Sequence, residues 1–348
     1  MFTINMVYTS NLLIMFLFFE LIFLPSLFFV YTLGYAKRVD KTIKFLLLWT
    51  LFGSLLVLFS LVYLYTITYT LNIRGILLIK FTTTEDALLL LLFFIGFGIK
   101  LPVWPFHYWL TKVHVEAPAG FSIFLSGFLV KTALYCFYFT YILFSNIVVK
   151  YIILGIVLWG TLDSSIRMWA VIDVKRLIAF ATIQEMNLIF LFLLLSINFS
   201  YLLLNLFILV HGILSALFFF LIDQVQKRFQ TRNIFSLGGL ATYSIILPII
   251  LWLALLIFRG FPIFIKFFIE WELLLLLSET FYYFGLIFFV IINLFAVLGF
   301  SRVFLIILYG LPKHPKTIYL SDILKKDFII ILFLIGILFC LNFLLWAF

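Results

Sequence analysis

Residues 96–110 read GFGIKLPVWPFHYWL, and this stretch decides the fold because it combines an apolar run with one lysine and two prolines. Pro102 and Pro105 each lack a backbone donor, so a helix through this stretch should break close to Lys100. Broken backbone at bilayer depth is tolerated only where it is buried in protein or lines a wet cavity. The stretch therefore predicts a discontinuous membrane helix with a charge at its break.

The composition of the whole chain places it in a bilayer. Of 348 residues, 66% are hydrophobic and 11% are charged, so a water-soluble core could not hide the apolar side chains. The net charge of +9 comes from Lys and Arg scattered between apolar runs, which fits a membrane protein better than a nucleic-acid binder. Cys136 and Cys340 lie inside apolar runs without CxxC or Cys/His spacing, so we expect packing residues and no metal.

The hydrophobic runs predict an all-α polytopic protein. A span needs about 20 apolar residues, and ten segments qualify: 10–34, 45–66, 87–110, 118–144, 147–166, 177–196, 200–222, 241–277, 281–309 and 328–347. The loops after odd-numbered spans hold fifteen Lys and Arg residues, against three in the opposite loops. Because basic loops face the cytoplasm or matrix, both termini should face the other side.

Ionisable residues fall within or at the edges of these spans, where a charge costs at least about 2.5 kcal/mol. Singly, each could snorkel to an interface or form one packing pair, whereas together they resemble a proton relay. The set consists of Lys100, Lys131, Arg259, Lys266, Arg302, Glu20, Glu185, His211, Glu270 and Glu272.

The eighth span carries a second set of helix breakers. Residues 256–274 read LIFRGFPIFIKFFIEWELL, in which Gly260 and Pro262 should interrupt the helix shortly before Lys266 and Glu270. One interrupted helix in each half, with charges nearby, is typical of transporters built from inverted repeats whose ion sites lie at the breaks. A plain proline kink is the simpler alternative at each place.

Several segments resemble the antiporter-like subunits shared by complex I and multisubunit cation/proton antiporters. They are FFELIFLPSLF (18–28), KLPVWPFHYWLTKVHVEAPAGFSIFLSGFLVKTALY (100–135), DVKRLIAFATIQEM (173–186), VHGILSALFF (210–219), QKRFQTR (226–232) and GFPIFIKFFIEWE (260–272). HVEAP followed by a small-residue segment and LVK is similar to the chain 4 branch, whereas chains 2 and 5 usually differ there. The resemblance covers nearly the whole chain. It implies a single membrane domain, with 10–144 as the remainder of a first inverted repeat, 147–309 as the second and 328–347 as a C-terminal helix.

The resemblance also implies roles for particular residues. Glu20 and Lys100 would be the interacting acid and lysine, Lys131 the central lysine, His211 a relay histidine and Glu270 the exit acid. His107, His114 and Glu116 would be structural or proton-uptake residues near the matrix end of the third span. The sequence departs from the family at Glu185, where a histidine is common, and at Lys266, where the residue is usually uncharged.

The resemblance implies that the chain moves protons from the mitochondrial matrix to the intermembrane space. Both termini would face the intermembrane space. The chain would carry no redox cofactor, with NADH, FMN, iron–sulfur clusters and ubiquinone in other subunits of NADH:ubiquinone oxidoreductase. Its partners would be membrane lipid and other membrane-arm subunits, especially antiporter-like chains 2 and 5, and no nucleic acid. Two alternatives remain open, namely a subunit of a multisubunit cation/proton antiporter and a structural membrane-arm subunit that does not pump.

The first available span corresponds to about the fifth helix of the family, so the earlier helices are absent from this sequence. An acid at bilayer depth in that span, Glu20, risks exposure to lipid unless other protein covers it. We therefore expect a separate polypeptide, either a detached N-terminal fragment or an added small subunit, to pack against the first two spans.

Overall fold

The computed structural model describes residues 2–33, 39–195, 201–311 and 323–346, and these ranges are built from helices. Their β-structure consists of two isolated bridges, Asn11 with Asn72 and Asp173 with Asn233. By length and apolar composition, seven helices of the described ranges could cross a membrane, or eight if the bent pair Ile234–Thr242 and Ile246–Phe258 forms one span. The predicted all-α polytopic class is confirmed.

Two compact units make up the chain. The first contains residues 1–160 and 186–194, and the second contains residues 161–185 and 195–348. The division from sequence into a single domain with repeats at 10–144 and 147–309 stays a prediction. Within the described residues, nine α-helices begin before the unit boundary at residue 160, and the last of them crosses it. They are α1 Phe2–Tyr8, α2 Leu12–Leu33, α3 Val39–Thr68, α4 Ile73–Ile76, α5 Thr83–Lys100, α6 Tyr108–Glu116, α7 Ala119–Phe124, α8 Val130–Leu143 and α9 Ile147–Ala170.

The remaining helices complete the second unit and contribute part of α10 to the first. They are α10 Val174–Leu195, α11 Tyr201–Phe229, α12 Leu240–Tyr243, α13 Ile246–Phe258, α14 Ile265–Tyr309 and α15 Lys325–Trp346. Each of the ten predicted spans overlaps one or more of these helices, and α14 covers parts of the eighth and ninth.

The third predicted span is discontinuous, as its sequence indicated. Helix α5 begins with a capping box, in which the Glu85 backbone N–H donates to Thr82 Oγ1 at 3.3 Å and the Thr82 backbone N–H donates to Glu85 Oε2 at 3.0 Å. It ends at Lys100, two residues before Pro102, and helix resumes only at Tyr108. A charge therefore lies at an interruption of the backbone.

Helices α3 and α5 approach closely because each carries a glycine at the contact. A Cβ on Gly96 would lie 2.6 Å from Val57 Cγ2, and a Cβ on Gly53 would lie 2.9 Å from the Gly96 carbonyl oxygen. These distances are too short for any side chain. Gly96 thus allows the two helices to pack closely.

The eighth span is also interrupted. Helix α13 ends at Phe258, Gly260 adopts φ +61°, and α14 begins at Ile265. The Ile265 backbone N–H donates to Asn342 Oδ1 of α15 at 2.7 Å, so a side chain caps the start of α14. Both predicted discontinuities, near Lys100 and Gly260, are therefore present.

Helix α14 is a helical hairpin rather than one rod. Its 45 residues would measure about 67 Å at 1.5 Å per residue, well beyond the roughly 30 Å hydrocarbon core. The chain reverses at Tyr282, where φ is 51° and ψ is −135°. A Cβ on Gly285 would lie 2.4 Å from the Leu277 carbonyl oxygen, which shows that the two legs meet directly after the reversal.

Candidate functional site

The first charged centre is an ion pair in the first unit between Glu20 and Lys100. The Lys100 ammonium donates a hydrogen bond to Glu20 Oε1 across 80 residues of sequence. Lys100 is fully buried, whereas the Glu20 side chain is 29% exposed. A lysine at bilayer depth is held here by a specific acid, which lowers the cost of both charges.

Two aromatic rings also contact the Lys100 ammonium, and the residue itself ends a helix. The ammonium lies 4.3 Å from the ring centroid of Phe19 and 5.0 Å from that of Phe23, both on α2 with Glu20. Lys100 is also the last residue of α5, where unpaired carbonyl groups carry partial negative charge. Helix α2 thus supplies both the acid and the aromatic faces that hold the lysine.

Lys131 lies beside an irregular turn in the fourth span. Residues 125–129 form a π-helical turn between α7 and α8, and the Lys131 ammonium donates to the Ser126 carbonyl oxygen. Such turns replace regular i to i−4 bonds and occur frequently at functional sites. The sequence gave no sign of this turn, because GFSIFLSGFLVK contains no proline and reads as ordinary membrane helix.

The other predicted residues of the first unit lie on or beside α6. His107 and His114 are buried, and so is Glu116 at the end of that helix. The His107 ring stacks on Tyr108 with centroids 4.6 Å apart, and the His114 carbonyl accepts a 3.4 Å hydrogen bond from Ser122 Oγ. His211 belongs to the second unit, where it lies buried in α11.

The second charged centre lies within the second unit and joins two predicted acids through Lys266. The Lys266 ammonium lies 2.5 Å from Glu185 Oε1 and 3.3 Å from Glu270 Oε1, and it also donates to the Phe258 carbonyl oxygen. Lys266 is 1% exposed and Glu185 is 3% exposed. Glu185 is therefore buried in protein, and its ion-pair partner is a lysine.

Arg259 completes this centre, which we call the second-unit cluster and define as Glu185, Arg259, Lys266 and Glu270. Its guanidinium donates to the Ala296 carbonyl oxygen and lies 5.5 Å from the Phe300 ring centroid. It also interacts electrostatically with both acids. Two acids and two bases give a formal net charge of zero, which limits the cost of burying four ionisable groups.

Gly260 leaves room for this cluster. A Cβ on Gly260 would lie 2.9 Å from Glu270 Oε2, and the positive φ at this position also favours glycine. The glycine that interrupts the eighth span therefore also lets an acid approach the broken backbone. The same residue thus both interrupts the span and makes space for the Glu270 carboxylate.

A small polar cavity opens beside the cluster and lies wholly within the second unit. It offers about 70 Å³ to the centres of water molecules, which is room for several waters. Two buried oxygens, Gln184 Oε1 and Glu185 Oε2, have no hydrogen-bond partner in the described part of the chain. The cavity is lined by Gln184, Glu185, Phe258, Arg259, Lys266, Glu270, Asn293, Ala296 and Val297.

Sequence reasoning counted Lys266 and Arg259 among the costly charges but assigned them no place in the relay. One feature of the sequence could have predicted that Lys266 belongs to the site. Glu20 precedes Lys100 by 80 residues and Glu185 precedes Lys266 by 81, and each lysine adjoins a Pro-containing break. A repeated acid-to-lysine spacing at matched breaks predicts two equivalent pairs.

The described residues do not form a recognisable metal site. Within the described ranges, no group of three or more His, Cys, Asp and Glu residues could hold a metal ion. Cys136 is buried, with its thiol 3.8 Å from the Met6 sulfur, and Cys340 is exposed. Buried acids and lysines at broken membrane helices instead define the class as an ion-translocating membrane protein of the antiporter type.

Comparison with known proteins agrees with this class. The family described as NADH:quinone oxidoreductase/Mrp antiporter, TM matches residues 9–296. The NADH-ubiquinone oxidoreductase chain 4 of Paramecium tetraurelia is 35% identical over 331 residues, covering 95% of this chain and 70% of the relative. The chain belongs to this family of membrane subunits.

Two solved structures share the fold. A chain of respiratory complex I from Thermus thermophilus superimposes with a TM-score of 0.86 at 19% identity, covering 98% of this chain and 73% of that one. A chain of the Mrp complex from Dietzia sp. superimposes with a TM-score of 0.81 at 20% identity, covering 90% of this chain and 60% of that one.

Proposed function

We propose that this chain is a proton-translocating membrane-arm subunit of respiratory complex I, NADH:ubiquinone oxidoreductase, of the chain 4 type. The observation that carries the proposal is the fully buried Lys100 paired with Glu20 at a helix break, in a chain of this family. A scaffold would be served at lower cost by apolar residues, because each charge at bilayer depth costs at least about 2.5 kcal/mol.

The chemistry follows from the pair itself. While Glu20 holds Lys100, the ammonium form is favoured by the opposite charge. When a change elsewhere in the complex separates the two, the desolvated lysine releases its proton more easily. Lys131, His211 and Glu270 are the further carriers in this proposal, with Glu185, His107, His114 and Glu116 in supporting roles.

The proposed setting is the mitochondrial inner membrane, with both termini toward the intermembrane space. The basic bias of the loops supports this orientation, and the eukaryotic relative supports the organelle. In this setting the chain has antiporter-like chains 2 and 5 as its neighbours. NADH, FMN, iron–sulfur clusters and ubiquinone belong to other subunits, so this chain moves protons without redox chemistry of its own.

Further protein covers the Glu20 face in this proposal. The Glu20 side chain is 29% exposed, although it lies in a helix whose neighbouring residues Leu17, Leu21 and Leu24 are exposed as for lipid contact. A partly exposed carboxylate beside lipid is costly. We propose that further protein helices pack against this face and cover Glu20.

The test is Lys100→Ala in the assembled complex, reconstituted into vesicles. We expect a lower ratio of protons pumped to NADH oxidised, with retained binding of neighbouring subunits, because the proposed role is charge transfer rather than packing. The proton ratio and the subunit content are measured on the same preparation. An unchanged proton ratio in a fully assembled complex would refute the role of Lys100.

The Mrp-like fold makes a cation/proton antiporter the second candidate. Such a subunit would use the same buried acids and lysines with Na⁺ or K⁺. Purification of the native particle separates the two functions, since co-purifying NADH dehydrogenase subunits support complex I. A particle without them that exchanges Na⁺ or K⁺ for protons would favour the antiporter.

A further inference from the structure

The second-unit cluster reproduces the arrangement of the Glu20–Lys100 pair on different helices. Glu20 lies within the continuous helix α2 of the first unit, and Glu185 lies within the continuous helix α10 of the second. In both units the paired lysine lies next to the break of a later span. Lys100 ends the helix before its break and Lys266 lies one residue into the helix after its break. The second pair therefore repeats the placement of the first, with its lysine after the break rather than before it.

The lysines also share their immediate contacts. The Lys100 ammonium lies 4.3 Å from the Phe19 ring centroid, and the Lys266 ammonium lies 4.1 Å from the Phe258 ring centroid. Both are essentially excluded from solvent, at 0% and 1% exposure. The two centres differ in one respect, because Lys266 bridges two acids whereas Lys100 contacts one.

We propose that Lys266 is a further proton-carrying residue, which transfers a proton from Glu185 to Glu270. The inference rests on the proposed proton-translocating function and extends it to a residue that the relay did not include. Lys266 contacts both acids at once, so one side chain can exchange protons with either through a small motion of its flexible stem.

The transfer conserves protons and charge. An N–H bond of the Lys266 ammonium breaks as an O–H bond forms on the Glu270 carboxylate, which leaves a neutral amine and a neutral acid. The amine then takes the proton of a protonated Glu185 carboxyl, which restores the ammonium and leaves the Glu185 carboxylate. The net change is one proton moved from Glu185 to Glu270.

The remaining parts of the cluster fit this role. Arg259 is held by the Ala296 carbonyl and the Phe300 ring, and a guanidinium stays protonated in proteins, so it supplies a fixed positive charge. The cavity beside Glu185 Oε2 has room for water that can deliver protons to that carboxyl. Lys266 is the base in the cluster that can release and regain a proton.

A simple structural pair predicts different behaviour from a carrier. In a structural pair, any side chain that keeps the positive charge preserves function, and removing both charges together restores it. A carrier requires a group that releases protons, so neither change restores pumping. Lys266→Arg therefore distinguishes the two roles of Lys266, and the double variant Glu185→Leu with Lys266→Met tests whether the pair as a whole is needed for pumping.

The experiment uses the complete complex in vesicles and compares Lys266→Arg, the double variant and Lys100→Ala. For Lys266→Arg we expect full assembly with a loss of proton pumping per NADH equal to that of Lys100→Ala. For the double variant we expect recovered assembly without recovered pumping. Lys227→Met, at a 65% exposed side chain, is the matched control and should pump normally.

Normal pumping by Lys266→Arg, or by the double variant, overturns the carrier role if Lys100→Ala loses pumping in the same assay, and the proposed function then stands. Normal pumping by Lys100→Ala and by both Lys266 variants contradicts the proposed function itself. Should Lys266→Arg fail to assemble, normal pumping by the double variant still overturns the carrier role, and lost pumping in a fully assembled double variant supports transfer through the Glu185–Lys266 pair.

Discussion

The Glu20–Lys100 pair makes an asymmetric prediction about stability, because its two partners differ in exposure. Glu20→Leu leaves a fully buried ammonium without its acid, whereas Lys100→Met leaves a carboxylate that is 29% exposed. Removing one partner of a buried pair costs about 3–5 kcal/mol. We expect about that loss for Glu20→Leu and a smaller one, about 1–3 kcal/mol, for Lys100→Met, because water can reach the partly exposed carboxylate when the purified chain is in micelles rather than in a bilayer.

The double variant should be close to the parent protein. Replacing a buried ion pair with apolar residues of similar volume is often neutral or stabilising. We therefore expect the pair Glu20→Leu with Lys100→Met to lie within about 1 kcal/mol of the parent, so that the two single losses are far from additive. The Lys100 ammonium also contacts two phenylalanine rings, which stabilise it by about 1 kcal/mol, so the loss for Glu20→Leu should lie toward the lower end of its range of about 3–5 kcal/mol.

The free energy of unfolding is measured by titrating the purified chain in mixed micelles with SDS and following tryptophan fluorescence. Lys227→Met is the matched control, because its ammonium is 65% exposed and pairs with Asp223 one helical turn away. Surface pairs of this kind contribute about 0–1 kcal/mol. Additive losses in the double variant, or a larger loss for Lys100→Met than for Glu20→Leu, would refute the reasoning.

Three further predictions concern packing, orientation and assembly. Gly96→Ala should destabilise the chain by about 1–3 kcal/mol, because the new Cβ would lie 2.6 Å from Val57 Cγ2. The control Gly155→Ala should cost less than about 0.5 kcal/mol, because its Cβ would meet nothing within 4 Å. The free energies of unfolding of the two variants are compared by SDS titration. Tags at the two ends of this sequence should both be accessible from the intermembrane-space side of oriented membranes, and a matrix-facing C-terminal tag would contradict the loop bias. A structure of the complete complex should show protein helices against the Glu20 face, and bare lipid there would reject the proposed covering helices.

Local sequence predicted the helices well for a physical reason. In hydrocarbon every backbone polar group must be satisfied within the protein, so a sufficiently long apolar run is committed to helix by its own composition. The two breaks were equally local, since Pro102 removes a backbone donor and Gly260 permits a positive φ. The spans and their interruptions could therefore be predicted without knowing what packs against them.

Part of the candidate site was also accessible from sequence. The cost of burying a charge marked Lys100, Glu20, Glu185 and Glu270 as candidate functional residues, and the family resemblance predicted that the first two interact. The structure pairs Glu20 with Lys100 as expected and places Glu185 beside Glu270 through Lys266. The roles of these residues in proton transfer stay predictions until pumping is measured.

The sequence by itself determined membrane insertion, helix class and the positions of the two breaks, because these depend on composition and on backbone chemistry within a few residues. Only the tertiary structure decided which charges meet. Glu185 and Lys266 are 81 residues apart, and no local rule brings a tenth helix to the broken span that holds its partner. The close approach of α3 to α5 at Gly96 and the cavity beside Glu185 likewise depend on how helices pack, since side chains distant in sequence must fill or leave space together.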